Sequence, residues 1–246
     1  MKHHTRSFSA LQAGRQTQRG ISLIMVLLVL VLVALTALSA SRSSFFNETV
    51  TGNEADFNRA MSAAEAMVRD AQLDIMGVGV APCGDSANNY EGCRLSASGI
   101  PSLAEPFFPG DGIEADALRT ALNNTCVQGI CAPGNWPANA LPDRFWDTNL
   151  TAFTPTAATY GQFTRANPAL TGNPILTAAA PARAWYWTEL IQMDTTRCAG
   201  TTGTSCTFGP TVKTPFSYRI TAVARGSRAN TLAVIQTYFV PNPMSP

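Results

Sequence analysis

At 246 residues, 46% hydrophobic and only 13% charged, the chain can bury a sizeable core and is too apolar to be a disordered segment. Its 17 basic side chains face 16 acidic ones with no basic run, which argues against nucleic acid as a partner. Both histidines, His3 and His4, lie at the very start, so a chain trimmed there has neither a histidine triad nor a histidine metal ligand.

Residues 1–20 carry Lys2, Arg6, Arg15 and Arg19 and no acid, and residues 20–41 are a run of 22 uncharged residues. At a rise of about 1.5 Å per residue the run spans roughly 33 Å as a helix, enough to cross the hydrocarbon of a bilayer. The positive-inside bias holds residues 1–20 in the cytoplasm and places everything after Arg42 outside. Two processing patterns compete. A secretory signal peptide is cut after its apolar core, here near Ala40. The other cut falls before the core, between Gly20 and Ile21, where a residue without Cβ admits a peptidase close to the backbone. It leaves residues 21–41 as a transmembrane helix that begins the mature chain. Without the four leader cations, 13 basic residues remain against 16 acids, a net charge of about −3.

The next segment, 42–76, is expected to continue as an amphipathic helix. From 45 to 76 there is no proline, and Phe57, Met61, Ala64, Val68, Ala71 and Ile75 recur at helical spacing. Glu54, Asp56, Arg59, Glu65, Arg69, Asp70 and Asp74 are assigned to the polar side. Thr51-Gly52-Asn53 is a candidate bend, since glycine costs about 1 kcal/mol in a helix interior. The stripe is under three heptads long, so a face covered by the protein's own sheet is preferred to a coiled coil.

Beyond Gly77 the composition changes: residues 77–182 hold 11 of the 16 prolines, the mark of a loop-rich region. Three sequence-local cysteine pairs, Cys83 with Cys93, Cys126 with Cys131 and Cys198 with Cys206, suit disulfides in an oxidising compartment, although six cysteines allow about 15 connectivities. Only the 126–131 spacing approaches a zinc knuckle, and no second close pair or histidine stands beside it. Asp111-Gly112-Ile113-Glu114-Ala115-Asp116 offers oxygen ligands to calcium but departs from the EF-hand order; an acidic helix start is the simpler account. Phe107, Phe108, Trp136, Phe145 and Trp146 are read as a small local core in preference to an exposed binding patch.

The C-terminal part reads as strands. Residues 184–193 are rich in aromatic and branched side chains, and Phe216, Tyr218, Ile220 and Ala222 alternate with more polar neighbours. A turn at 226–230 leads to 231–240, which is mixed on both faces and leaves its inner side unassigned. The expected fold is α+β: a long N-terminal helix packed on a C-terminal antiparallel sheet of at least three strands, with long disulfide-stapled loops in a head spanning 77–246.

Gln18-Arg19-Gly20 followed by Ile21-Ser22-Leu23-Ile24 and an apolar helix resembles the class III leader of type IV prepilins. Thr51-Gly52-Asn53, Ala63-Ala64-Glu65-Ala66, the helix end near Gly77 and Tyr218-Arg219-Ile220-Thr221-Ala222 resemble the PilX-type minor pilins within that family. The resemblance implies a pilin-like fold, cleavage by prepilin peptidase between Gly20 and Ile21, and N-methylation of Ile21. It implies a single-pass inner-membrane protein with a periplasmic head that later joins the pilus at or near its tip. The partners it implies are inner-membrane lipid, the major pilin and other minor pilins, with no cofactor and no enzymatic activity. The fifth mature position usually carries a glutamate that pairs with a neighbour's amino terminus; here it is Met25, which suits an initiating or capping subunit or is one more apolar contact. Two other readings stay open, a type II secretion minor pseudopilin and a membrane-anchored periplasmic adhesin or binding protein.

Overall fold

A computed structural model describes residues 21–77, 94, 100–132, 145–177, 181–192, 216–228 and 230–241. The elements are helix α1 (Ile21–Ile75), α2 (Gly112–Leu122), strands β1 (Cys126–Val127) and β2 (Ile130–Cys131), helix α3 (Phe145–Phe153), two 3-10 turns (Thr154–Thr156, Pro168–Thr171), and strands β3 (Ala184–Gln192), β4 (Phe216–Arg225) and β5 (Leu232–Phe239). Two compact units meet at Thr51 and Gly52.

In the first unit every described residue is helical and exposed, and the apolar run is long enough to cross a membrane. Three of its hydroxyls turn back on their own helix: Thr36 donates to the Val33 carbonyl at 2.9 Å, Ser39 to Leu35 at 2.9 Å and Thr49 to Phe45 at 2.8 Å. Polar groups satisfied within the helix are those that hydrocarbon tolerates.

In the second unit α1 lies on the sheet through Ala60, Ala63, Ala64, Met67, Ala71 and Ile75, which share a core with Tyr186, Leu190, Tyr218, Ile220 and Ala222. Alanines on this face let the helix backbone approach the strands closely. The expected stripe is off in phase: Phe57 is exposed, Met61 and Val68 are half-buried, and Asp56, Asp70 and Asp74 are buried instead. Helix also continues without a break through Thr51-Gly52-Asn53.

The sheet has the order β1-β2-β3-β4-β5. Antiparallel registers run from Ala184↔Ala224 to Gln192↔Phe216 between β3 and β4, and from Tyr218↔Phe239 to Arg225↔Leu232 between β4 and β5. The expected strands are therefore present, with one departure from a purely antiparallel sheet: β2 pairs with β3 in parallel. The face of the sheet away from α1 is covered too, by Trp146 and Leu150 of α3 over Trp185, Trp187 and Val223. Trp146 stacks on Trp187 with ring centroids 5.1 Å apart. Coverage on both sides explains β5, whose Ala233, Ile235 and Phe239 join the α1 side while Leu232 and Val234 join the α3 side.

The Cys126–Cys131 disulfide is formed and closes the β1–β2 hairpin. Cys83, Cys93, Cys198 and Cys206, and with them the other two predicted bridges, lie outside the described residues.

Candidate functional site

Two features of the chain bear on function, one in each unit. Gly20 lies outside the described residues; Ile21, the first described residue, is helical and 64% exposed. Met25 is 62% exposed one turn later, within an unbroken run of exposed aliphatic side chains. Nothing within this unit covers the run, so its apolar surface is available to lipid or to other helices.

In the second unit the three buried aspartates fasten distant segments to α1. Asp56 accepts from the backbone N–H of Ser227 at 2.8 Å and of Arg228 at 2.9 Å, in the turn between β4 and β5. Arg228 returns the contact, donating from Nη1 to Asn53 Oδ1 at 2.7 Å, with its guanidinium lying over Gly52. Asp70 accepts from the Gly161 N–H at 2.8 Å and from the Thr164 hydroxyl. Asp74 accepts from Tyr186 Oη at 2.6 Å and from Arg94 Nε at 2.8 Å.

Arg94 ties these segments together. Its guanidinium sits 3.5 Å from the centroid of the Phe163 ring and 5.3 Å from that of Phe108, and it donates to the Gln128 carbonyl at the tip of the disulfide hairpin. The Arg94 and Asp74 side chains are 2% and 1% exposed. A buried pair of this kind costs much in desolvation, so its partners are held where they satisfy it. Burial pushes the Asp70 carboxyl up to about 6, helped by the nearby Asp74 charge and opposed by the Thr164 and Gly161 donors. At Asp56 burial pulls the same way, but the Arg228 and Ser227 N–H groups and the Thr231 hydroxyl outweigh it and hold the carboxyl below the usual range. Burial beside Asp74 raises the Tyr186 phenol, keeping it a neutral donor.

The acidic segment at 111–116 is a helix start: Asp111 caps α2, accepting from Ile113 N and Glu114 N at 2.9 Å each. Glu114 accepts from Gly110 N at 2.7 Å, and Asp116 pairs with Arg119 at 3.1 Å. Among the described residues no cluster of three or more histidine, cysteine or acidic side chains is placed to hold a metal. The aromatics grouped from the sequence separate: Phe145 and Trp146 pack on the outer sheet face, Phe108 stands edge-on to Tyr218 on the other, and Trp136 is outside the described residues.

Sequence reasoning placed Asp56, Asp70 and Asp74 on the solvent side. A signal was present nonetheless, because all three share the helical phase of Ala60, Ala63, Met67 and Ala71, whose small size marks the face closest to the sheet.

A long N-terminal helix, apolar and exposed at its start and packed further on against a mostly antiparallel sheet, defines a pilin-like α+β protein. The comparisons agree. Residues 111–241 match the model described as type IV pilus assembly protein PilX C-term, and residues 19–69 match PilX N-terminal. The chain belongs to the PilX family, the minor pilins of type IV pili. No curated protein and no solved structure matches it.

Proposed function

We propose that the chain is a minor pilin that helps to start or cap type IV pilus assembly, after prepilin peptidase cuts between Gly20 and Ile21 and Ile21 is N-methylated. The observation that carries this is the exposed apolar helix described from Ile21 onward, with Met25 at the fifth position after the expected cut. Held first in the inner membrane, the helix moves into the filament by exchanging lipid for the helices of the major pilin and other minor pilins. Met25 brings no carboxylate to pair with the amino terminus of a preceding subunit, and a subunit at the filament end has no such neighbour. The head stays in the periplasm until assembly and then stands at or near the tip. The paired α1 aspartates and the disulfide hairpin serve to hold that head together; no catalytic step is assigned to it.

The test is intact mass and amino-terminal sequencing of the protein from its native host, with and without prepilin peptidase. A chain that starts at methylated Ile21 only when the peptidase is present is the expected result, and Gly20→Val is expected to stay uncut. A start near Ser41, or normal maturation of Gly20→Val, overturns the reading. A membrane-anchored adhesin that never polymerises is separated by shearing: a pilin is recovered with the surface filaments, an anchored receptor with the inner membrane.

A further inference from the structure

Asp70 and Asp74 stand one helical turn apart on the buried face of α1, 2% and 4% exposed. Among the described residues one cation, Arg94, binds this pair, and it is committed to Asp74, reaching its two oxygens at 3.0 and 2.8 Å. Among the described residues Asp70 receives only neutral donors, the Gly161 N–H and the Thr164 hydroxyl. Among the described residues the titratable and charged groups that face it are Asp74 on its own helix, Tyr160 in the turn packed against it, Tyr186 of β3, and Arg94 beyond Asp74. Two buried carboxylates with one guanidinium leave an uncompensated negative charge, and a like charge nearby favours a neutral acid.

We propose that Asp70 is a proton-operated latch: one proton taken up there in mildly acidic surroundings removes the charge buried between α1 and the Tyr160–Thr164 turn, relieves the like-charge contact with Asp74 and so stabilises the packing of that turn on α1. The geometry serves both protonation states. When Asp70 is ionised, the Gly161 N–H and the Thr164 hydroxyl both donate to it. When it is protonated, Gly161 still donates to Oδ2, while Oδ1–H donates to Oγ1 of Thr164. Phe163 belongs to the same turn and stacks on Arg94, which reaches the Gln128 carbonyl, so the latch bears on four segments at once: α1, residue 94, the disulfide hairpin and the 160–164 turn.

The sign follows from linkage. The carboxyl is raised from 3.8 to about 6 in the fold, so its contribution is fully present below 3.8 and is lost as pH rises through about 6. For one proton the folding equilibrium constant changes by up to about tenfold per pH unit inside that window. The lowered carboxyl of Asp56 acts at the acid side of 3.8 and does not overlap it.

The experiment is urea unfolding of the full chain in detergent micelles from about pH 4.5 to about pH 7, for the wild type and Asp70→Asn. The wild-type midpoint is expected to fall as pH rises, and that of Asp70→Asn, a permanently neutral isostere, to fall less steeply, the remaining slope belonging to Asp74, whose carboxyl burial also raises. An equal slope in both chains, or a level wild type, overturns the proposal. Should Asp70→Asn fail to fold, assigned carboxyl ¹³C shifts of aspartate-labelled wild type decide it: Asp70 titrating near pH 6 supports the latch, and its titration below about pH 5 sinks it.

Discussion

Gly52 and Gly226 lie at the same junction and predict opposite outcomes. A Cβ on Gly226 falls inside contact distance of the Asp56 carboxylate and 2.7 Å from the Cβ of Thr231, both fixed by the turn they share. On Gly52 the Cβ meets only the far end of Arg228, a flexible side chain that can swing aside. Gly226→Ala is therefore expected to cost about 1–3 kcal/mol, the range for overpacking. Gly52→Ala loses an exposed contact to Asn53 and gains about 0.8–1 kcal/mol of helix propensity, so it comes out neutral or slightly stabilising. Urea midpoints of the two variants check the contrast. Asp56 supplies the pH dependence of the same junction. With its carboxyl held below the ordinary value, its contribution is present above 3.8 and is lost as pH falls through the folded value. Asp56→Asn is expected to remove that acid limb from the unfolding profile, and an unchanged limb would assign it to other carboxylates.

The disulfide hairpin is the smallest element of the sheet and depends on one glycine. Gln128 and Gly129 form its turn with φ of 48° and 81°, and a Cβ on Gly129 stands 2.7 Å from the Cβ of Ala158 and 2.9 Å from its backbone nitrogen. Gly129 also accepts from Thr188 N and donates to the Thr156 carbonyl, both at 2.6 Å, which is how the hairpin joins β3. By loop entropy the bridge over so short a segment contributes about 2 kcal/mol. Gly129→Ala should cost at least as much as the Cys126→Ser/Cys131→Ser pair, since it meets unfavourable φ and backbone contact together. Chemical denaturation of the two variants decides, and a milder Gly129→Ala would show that the staple outweighs the docking. This element also marks where the sequence stopped being legible. Strands β3 and β4 declare themselves by aromatic and branched content along eight or more positions. The two-residue strands β1 and β2 are too short for any periodicity, and their pairing is set by contacts with residues 156 and 188. The helix was legible as a helix but not in its buried face, because a buried aspartate is specified by its donors. Those donors lie 91 residues from Asp70 and 171 from Asp56, beyond the reach of a local pattern.

For the whole molecule, the division between an uncovered apolar helix and a head with its own core means that the two can be altered separately. Residue 25 belongs to the first alone: it is 62% exposed and touches no part of the head core. An ionised carboxylate within a bilayer costs on the order of 2.5–3.5 kcal/mol at the centre of a span, so a glutamate at this position favours any environment that supplies a cation. In the proposed filament that cation would be the amino terminus of a preceding subunit. A Met25 chain lacks this incentive and gains as much at an end, where no preceding amine exists, as within the shaft. For a subunit at the filament end, as proposed, Met25→Glu is therefore expected to add copies along the length, with folding of the head unchanged. Counting labelled subunits per sheared filament measures it, with the urea midpoint of the head as the control. If the copy number and distribution along the filament are unchanged, the helix does not set the position in the filament, and the cause must lie in what the head permits to stack upon it.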